Sequence, residues 1–172
     1  MKNKIYITNQ FKLQQKQYQR DIGYDVKAIS YPEIVGEKYG DHLHHYKSID
    51  YIEYDTGIRI DSIQKNADTD MYTLVYPRSS ISKKNLYMAN SVGLIDPEYR
   101  DTIKIRFCYK FQPKDLKVIE DFIVFKIDES KIYKIGDKIA QLVFMKNVDL
   151  DIDYVPELMP SARSSGFGST GE

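Results

Sequence analysis

Short runs of β-branched and aromatic residues, each alternating with polar ones and each cut off by Gly, Pro, Asn or Asp, recur along this chain and leave little helical periodicity. A period of two sends successive side chains to opposite faces, so each run buries one face and wets the other. The fifteen Tyr and the many Ile and Val belong to the same pattern. Candidate strands are 4–8, 24–28, 51–54, 57–60, 71–76, 102–109, 122–127 and 138–145. Strands this short, at spacings that are not those of simple hairpins, predict an all-β jelly-roll or a similar closed β-barrel.

A chain of 172 residues supports one well-buried core, so residues 1–172 are expected to form a single domain. Three stretches read as additions to the β frame: 14–20, 33–49 and 112–121. The run Pro113-Lys-Asp-Leu-Lys-Val-Ile-Glu-Asp-Phe122 is expected to hold a helical turn. From 156 to 172 the chain turns polar and glycine-rich, and this is the segment expected to be mobile.

Lys and Arg total 25 and so do Asp and Glu, so the net charge is zero. That argues against direct nucleic-acid binding, which draws on an excess of cations, and restricts any phosphate binding to a local site. The lone Cys108 lies between Phe107 and Tyr109, where a buried thiol in a reducing compartment is expected. No stretch approaches membrane-spanning length and the first residues lack an apolar core. A soluble, intracellular protein without membrane contact is the expectation.

Chemistry-bearing residues gather in a few blocks. The tail Arg163-Ser-Ser-Gly-Phe-Gly-Ser-Thr-Gly171 sets a cation and a lone ring among three glycines and a run of hydroxyls. Glycines let backbone N–H groups approach a ligand, Arg suits anionic oxygens and Phe suits a flat ring, so a nucleotide phosphate is the natural occupant. In Tyr76-Pro-Arg-Ser-Ser-Ile-Ser-Lys83, a guanidinium and hydroxyls emerge where Pro77 ends a strand, which suits phosphate better than a core; a solvent-facing loop Arg is the plain alternative. Asp96, between Ile95 and Pro97, reads as the tip of a hairpin. It is ionised at neutral pH and can deprotonate a water, although Asp before Pro is also ordinary turn chemistry. Gln141 stands in an apolar strand and needs partners, which an inter-strand hydrogen bond would also supply. His42, His44 and His45 fit no zinc spacing and have no Cys partners, so they read as a solvated loop.

Five ordered blocks carry a resemblance. Asp21-Ile-Gly-Tyr-Asp-Val-Lys-Ala28, the Tyr76 block, Met88-Ala-Asn-Ser-Val-Gly-Leu-Ile-Asp-Pro-Glu-Tyr-Arg100, Gly136-Asp-Lys-Ile-Ala-Gln-Leu-Val143 and the tail together resemble the five motifs of the homotrimeric dUTP pyrophosphatases. The resemblance implies hydrolysis of dUTP to dUMP and pyrophosphate, limiting uracil in DNA and supplying dUMP for thymidylate synthesis. It implies Asp96 as the base that activates water at the α-phosphorus, with Tyr99 flat against the deoxyribose. Asn90 and the backbone of Gly93, Leu94 and Ile95 would meet the uracil edge, helped by the backbone of Lys104 on the opposite strand of that hairpin. Arg78, Ser79, Ser80 and Gln141 would hold the α/β-phosphates. Arg163 would reach the γ-phosphate, Phe167 would stack on uracil, and Gly168, Ser169 and Thr170 would wrap the β/γ-phosphates. Mg²⁺ is the implied cofactor, with Asp25 touching it only through water, and the arm would cross to a neighbouring subunit of a trimer.

Asp101 stands where such enzymes usually have Gly, Ile22 where a small residue is usual, and one residue fewer separates Arg163 from Phe167. A side chain at 101 threatens the hairpin, and an inward charge there would disfavour phosphate. Two other readings compete. A dCTP deaminase, similar in fold, would need a catalytic Glu where this chain has Arg106. A binding or regulatory protein of the same fold, of a kind carried by viruses or phages, would act through the stretches 33–49 and 112–121.

Overall fold

A computed structural model describes residues 5–8, 13, 18, 20–40, 44–62, 70–148, 150–157 and 159. Within them the alternating runs become β1 (Tyr6–Thr8), β2 (Tyr24–Lys27), β3 (Glu33–Val35), β4 (His45–Tyr46), β5 (Tyr51–Asp55), β6 (Arg59–Asp61) and β7 (Met71–Pro77). The second half supplies β8 (Leu86–Met88), β9 (Gly93–Ile95), β10 (Lys104–Tyr109), β11 (Leu116–Ile119), β12 (Phe122–Lys126) and β13 (Lys138–Lys146). The described residues contain short 3₁₀ turns and no α-helix, and none could cross a membrane as a helix.

Two four-stranded antiparallel sheets, ordered β2-β13-β7-β9 and β3-β5-β10-β8, carry the core in the jelly-roll manner expected. In β7 every second residue, Met71, Thr73 and Val75, is buried; in β10 the buried set is Ile105, Phe107 and Tyr109. These faces join Val26, Ile52, Tyr54, Ile139 and Leu142 in one apolar cluster. The nine-residue β13 runs between β2 and β7, so Gln141 sits with Asp25 on one side and Tyr76 on the other.

Two expectations need correction. The stretches 33–49 and 112–121 are not plain loops added to the frame. Strand β3 belongs to a core sheet through β5, and β11, β12 and β4 make a further three-stranded sheet. The β11–β12 hairpin is hard to see in sequence because its turn, Glu120–Asp121, holds no glycine; Glu120 itself takes a left-handed φ of 54°. The helical turn falls at Pro113–Asp115, closed by a capping box between Gln112 and Asp115, and the chain is extended from Leu116. Gly36 is required where β3 leaves its sheet, since a Cβ there would lie 2.2 Å from the Ser48 carbonyl oxygen. The second correction concerns the hairpin assigned to Asp96. Strands β9 and β10 do not pair: β9 lies against β7 in one sheet and β10 against β5 and β8 in the other. Lys104 therefore faces Asp55 across a β5–β10 ladder.

Candidate active site

The gap between β9 and β10, one strand from each sheet, is a cavity of about 430 Å³. Asn90, Gly93, Leu94, Ile95, Tyr99 and Lys104 all line it, over an apolar floor of Val75, Met88, Ile103 and Ile105. Strand β9 ends its sheet, so one side of its backbone is not used by β7. Such an edge presents main-chain donors and acceptors to whatever fills the gap. Beyond Ile95, the Asp96 carbonyl accepts from Tyr99 N–H at 3.1 Å around Pro97, which presets the turn. Tyr99 is fixed by its hydroxyl donating to the Thr102 carbonyl at 3.1 Å. Arg100 donates to the Pro97 carbonyl and pairs with Asp61 at 3.0 Å, stapling the turn to β6. Asp96 itself is exposed.

Asp101 is accommodated. Its Oδ1 accepts from Thr102 N–H at 2.7 Å and lies 3.8 Å from Arg59, its backbone is not left-handed, and it does not line the cavity. Its charge is therefore directed at a cation outside the site.

Glu53 is the residue that sequence reasoning missed at this cavity. It is only 6% exposed, and its two oxygens accept from Lys104 Nζ at 2.8 Å and Arg106 Nε at 2.7 Å. Burial pushes its carboxyl up, but the hydrogen bonds from Lys104 and Arg106 outweigh that and hold it below the ordinary glutamate range. Arg106 also lies over the Tyr51 ring at 4.1 Å.

A second cluster forms at the far end of β7. Arg78 Nε donates to Asp25 Oδ1 at 2.7 Å, Gln141 Nε2 donates to the same oxygen at 3.2 Å, and Lys138 Nζ lies 2.8 Å from Oδ2. Arg78 Nη1 also reaches Ser80 Oγ at 3.5 Å. Gly23 makes room for this, because a Cβ there would meet Gln141 Cβ and Cδ at 3.2 Å. Burial raises the Asp25 carboxyl, whereas hydrogen bonds from Lys138 and Gln141 and the charge of Arg78 lower it, with a net lowering. One carboxylate between two cations leaves the cluster positive and suited to an anion. Lys138, unremarked in the sequence, is turned onto Asp25 where the β13–β2 register shifts between Lys138 and Ala140.

The two clusters stay apart within one chain. Ile95 pairs with Thr73, so Asp96 lies beside the start of β7, while Arg78 follows its last residue, Pro77. Five to six extended residues separate them, roughly 15–20 Å. Arg163, Phe167, Gly168, Ser169 and Thr170 lie outside the described residues, as does His42. His44 pairs with Glu129 at 3.5 Å and His45 belongs to β4.

The family model for dUTPase matches residues 48–171, which takes in the residues that line the cavity and, from the second cluster, Arg78, Ser80, Lys138 and Gln141 but not Asp25. This chain belongs to the dUTPase family. The deoxyuridine 5'-triphosphate nucleotidohydrolase of Legionella pneumophila strain Paris is 36% identical over 107 residues, covering 61% of this chain and 60% of the relative, so the match spans under two thirds of that protein. Among solved structures, the dUTPase of Staphylococcus bacteriophage 80alpha with dUPNHPP superposes with a TM-score of 0.67 at 20% identity, covering 99% of each chain. A mutant dUTPase from phage phi11 of S. aureus, described for its coordination of a structural Mg(II) ion, gives 0.56 at 18% identity, covering 90% of this chain and 98% of that one. These structural likenesses concern the fold.

Proposed function

We propose that this chain hydrolyses dUTP to dUMP and pyrophosphate, in a site completed by a second and third copy. The separation of Asp96 from Arg78 along β7 carries this reading. The base and the phosphate ligands of one chain are too far apart to serve one α-phosphorus, but each cluster is complete in itself and ready to meet the other from a neighbouring subunit. A homotrimer supplies that arrangement, with residues 156–172 as the arm that reaches across. The described stretch before it supports an outgoing extended segment: Val148, Leu150, Ile152 and Tyr154 alternate with polar positions and are 66%, 75%, 70% and 96% exposed.

In this reading uracil enters the β9–β10 gap and meets the free edge of β9 with Asn90. A gap of main-chain groups rejects cytosine by leaving donors and acceptors mispaired. Tyr99 packs on the deoxyribose. Asp96 orients a water, takes its proton, and directs the oxygen at the α-phosphorus; the P–O bond to the β-phosphate breaks and pyrophosphate leaves. Arg78, Ser79, Ser80 and Gln141 of a neighbour hold the α/β-phosphates, with Asp25 and Lys138 fixing the Arg78 guanidinium. From the tail, Arg163 meets the γ-phosphate, Phe167 covers the base, and Gly168, Ser169 and Thr170 close over the β/γ-phosphates. Among the described residues no group of three His, Cys, Asp or Glu side chains could hold a metal, and both Asp25 oxygens are engaged. The donor set thus fits a Mg²⁺ carried by phosphates and water, with Asp25 outside its inner sphere. Bound there, the ion would offset phosphate charge.

The test is pyrophosphate release from dUTP, dCTP, dTTP and UTP in the presence of Mg²⁺, with the full chain, a chain ending at Ser161 and Asp96→Asn. Hydrolysis confined to dUTP, lost on truncation, and lost in Asp96→Asn with nucleotide binding retained is the expected outcome. Deamination of dCTP, or wild-type turnover by Asp96→Asn, would contradict the assignment.

A further inference from the structure

The gap between β9 and β10 is walled on one side by a strand whose backbone is used unevenly. Strand β10 pairs with β5 through Lys104–Phe107, but with β8 only through Phe107–Tyr109. One further bond, from Ala89 N–H to the Arg106 carbonyl at 3.0 Å, ends the pairing on the β8 side among the described residues. Ile103 turns its groups the other way: its N–H donates to the Ile58 carbonyl at 2.8 Å and its carbonyl accepts from Thr56 N–H at 3.2 Å. Main-chain groups alternate sides along an antiparallel strand, so those of Lys104 face the way those of Arg106 do. The Lys104 N–H and carbonyl therefore open onto the gap, opposite the free edge of β9, and Lys104 lines the cavity there.

The side chains of Lys104 and Arg106 both leave β10 on its exposed face. Glu53 sits directly across the ladder from Arg106 and joins the two. Its Oε1 accepts from Lys104 Nζ at 2.8 Å and its Oε2 from Arg106 Nε at 2.7 Å. Tyr51, two residues back on β5, carries the Arg106 guanidinium on its ring at 4.1 Å. Glu53 is buried, and a buried carboxylate gives up hydration that an apolar side chain of the same size would not need to lose. Filling space therefore does not account for its charge, whereas its two bonds do. A single exposed ion pair would hold little, but one buried carboxylate shared by two cations fixes both side chains, and with them the roll of the backbone that carries them.

We infer that Glu53 is a positioning residue for base recognition: by holding Lys104 and Arg106 together it fixes the Lys104 peptide, whose N–H and carbonyl meet the edge of the base from the β10 side of the gap. This rests on reading the β9–β10 gap as the base site. A donor and an acceptor on one residue select a base only while their direction is set, and a strand edge without a partner strand has no ladder to set it. The Glu53 clamp takes the place of that ladder. Lys104 thus acts through its main chain, and its ammonium is spent on Glu53 rather than on substrate.

Glu53→Gln removes the shared charge, and Lys104→Met cuts the clamp from the half-exposed side while leaving the peptide in place. Calorimetric titration of the full chain with dUMP needs no turnover and is the primary readout; dUTP kinetics are the second. Each variant should bind dUMP about three- to tenfold more weakly and show a KM for dUTP raised by a similar factor, with kcat within about twofold of wild type. The double variant should lose no more than the worse single one, because both cut the same link. Unchanged dUMP affinity in both single variants, losses that multiply in the double, or a fall in kcat as large as the rise in KM would overturn the proposal. So would tighter dUMP binding by Glu53→Gln, the result expected if a released Lys104 ammonium served the phosphate. Wild type that hydrolyses dUTP beside variants that bind dUMP normally would leave the activity standing and sink only the clamp; wild type that binds no dUMP would remove the base site itself, and the clamp with it.

Discussion

At the scale of single residues, the carboxylates of Glu53 and Asp25 are each held by two cations. Glu53 illustrates the consequence. Its folded pKa is depressed, so its contribution to stability is fully present above the unfolded value and is lost as pH falls through the folded value. Asp25 behaves in the same sense, and Asp128, held to about 2 by Lys114 and Ser130, marks the lower end of the window. Urea titrations should show stability flat above the ordinary glutamate value of 4.5 and falling from there toward about 2. Glu53→Gln should lose about 1–2 kcal/mol at neutral pH, since Lys104 and Arg106 are half exposed and regain water, and should show a shallower acid slope than wild type. An identical slope would place the acid sensitivity elsewhere. Asp96, Arg78 and Gln141 stood out in the sequence because each breaks a local pattern, either a turn or an apolar run, whereas Tyr99 entered only through the resemblance of its block. Glu53 did not stand out, since its partners Lys104 and Arg106 lie far along the chain and it sits unremarkably in a strand-like run.

At the scale of elements, the long alternating strands were readable, while among the three-residue ones Tyr6–Thr8 and Arg59–Asp61 were met by the candidates 4–8 and 57–60 and others were missed. Met71–Pro77, Lys104–Tyr109 and Lys138–Lys146 have enough residues for the period of two to show, whereas Leu86–Met88 and Gly93–Ile95 have three each and sit among Asn, Ser and Gly. The motif around Asp96 looks like a hairpin because strands flank a Pro turn; only their membership of two different sheets separates β9 from β10. That separation opens the cavity, since a true hairpin would have used the β9 edge. Close strand contact also sets a testable limit beside the phosphate cluster. Gly23→Ala would press a methyl against Gln141 at 3.2 Å, and β13, paired on both sides, cannot retreat. The side chain must turn off Asp25. A loss of about 1 kcal/mol in urea unfolding and a raised KM for dUTP are expected; a fully active, equally stable variant would mean that Gln141 has room to move.

At the scale of the whole molecule, the fold sets the two clusters at opposite ends of one strand. The sequence announced the ordered blocks but not their distance, because order along the chain says nothing about which end of β7 each block occupies. The central claim, that Asp96 and Arg78 act together only across a subunit boundary, can be measured by complementation. Asp96→Asn and Arg78→Ala chains, each inactive alone, are unfolded, mixed in equal amounts and refolded together, and dUTP hydrolysis is compared with wild type treated identically. Random assortment leaves about a quarter of the sites with both native groups, so the mixture should recover up to about a quarter of wild-type activity. A mixture as inactive as its two components, beside an active refolded wild type, would contradict the composite site.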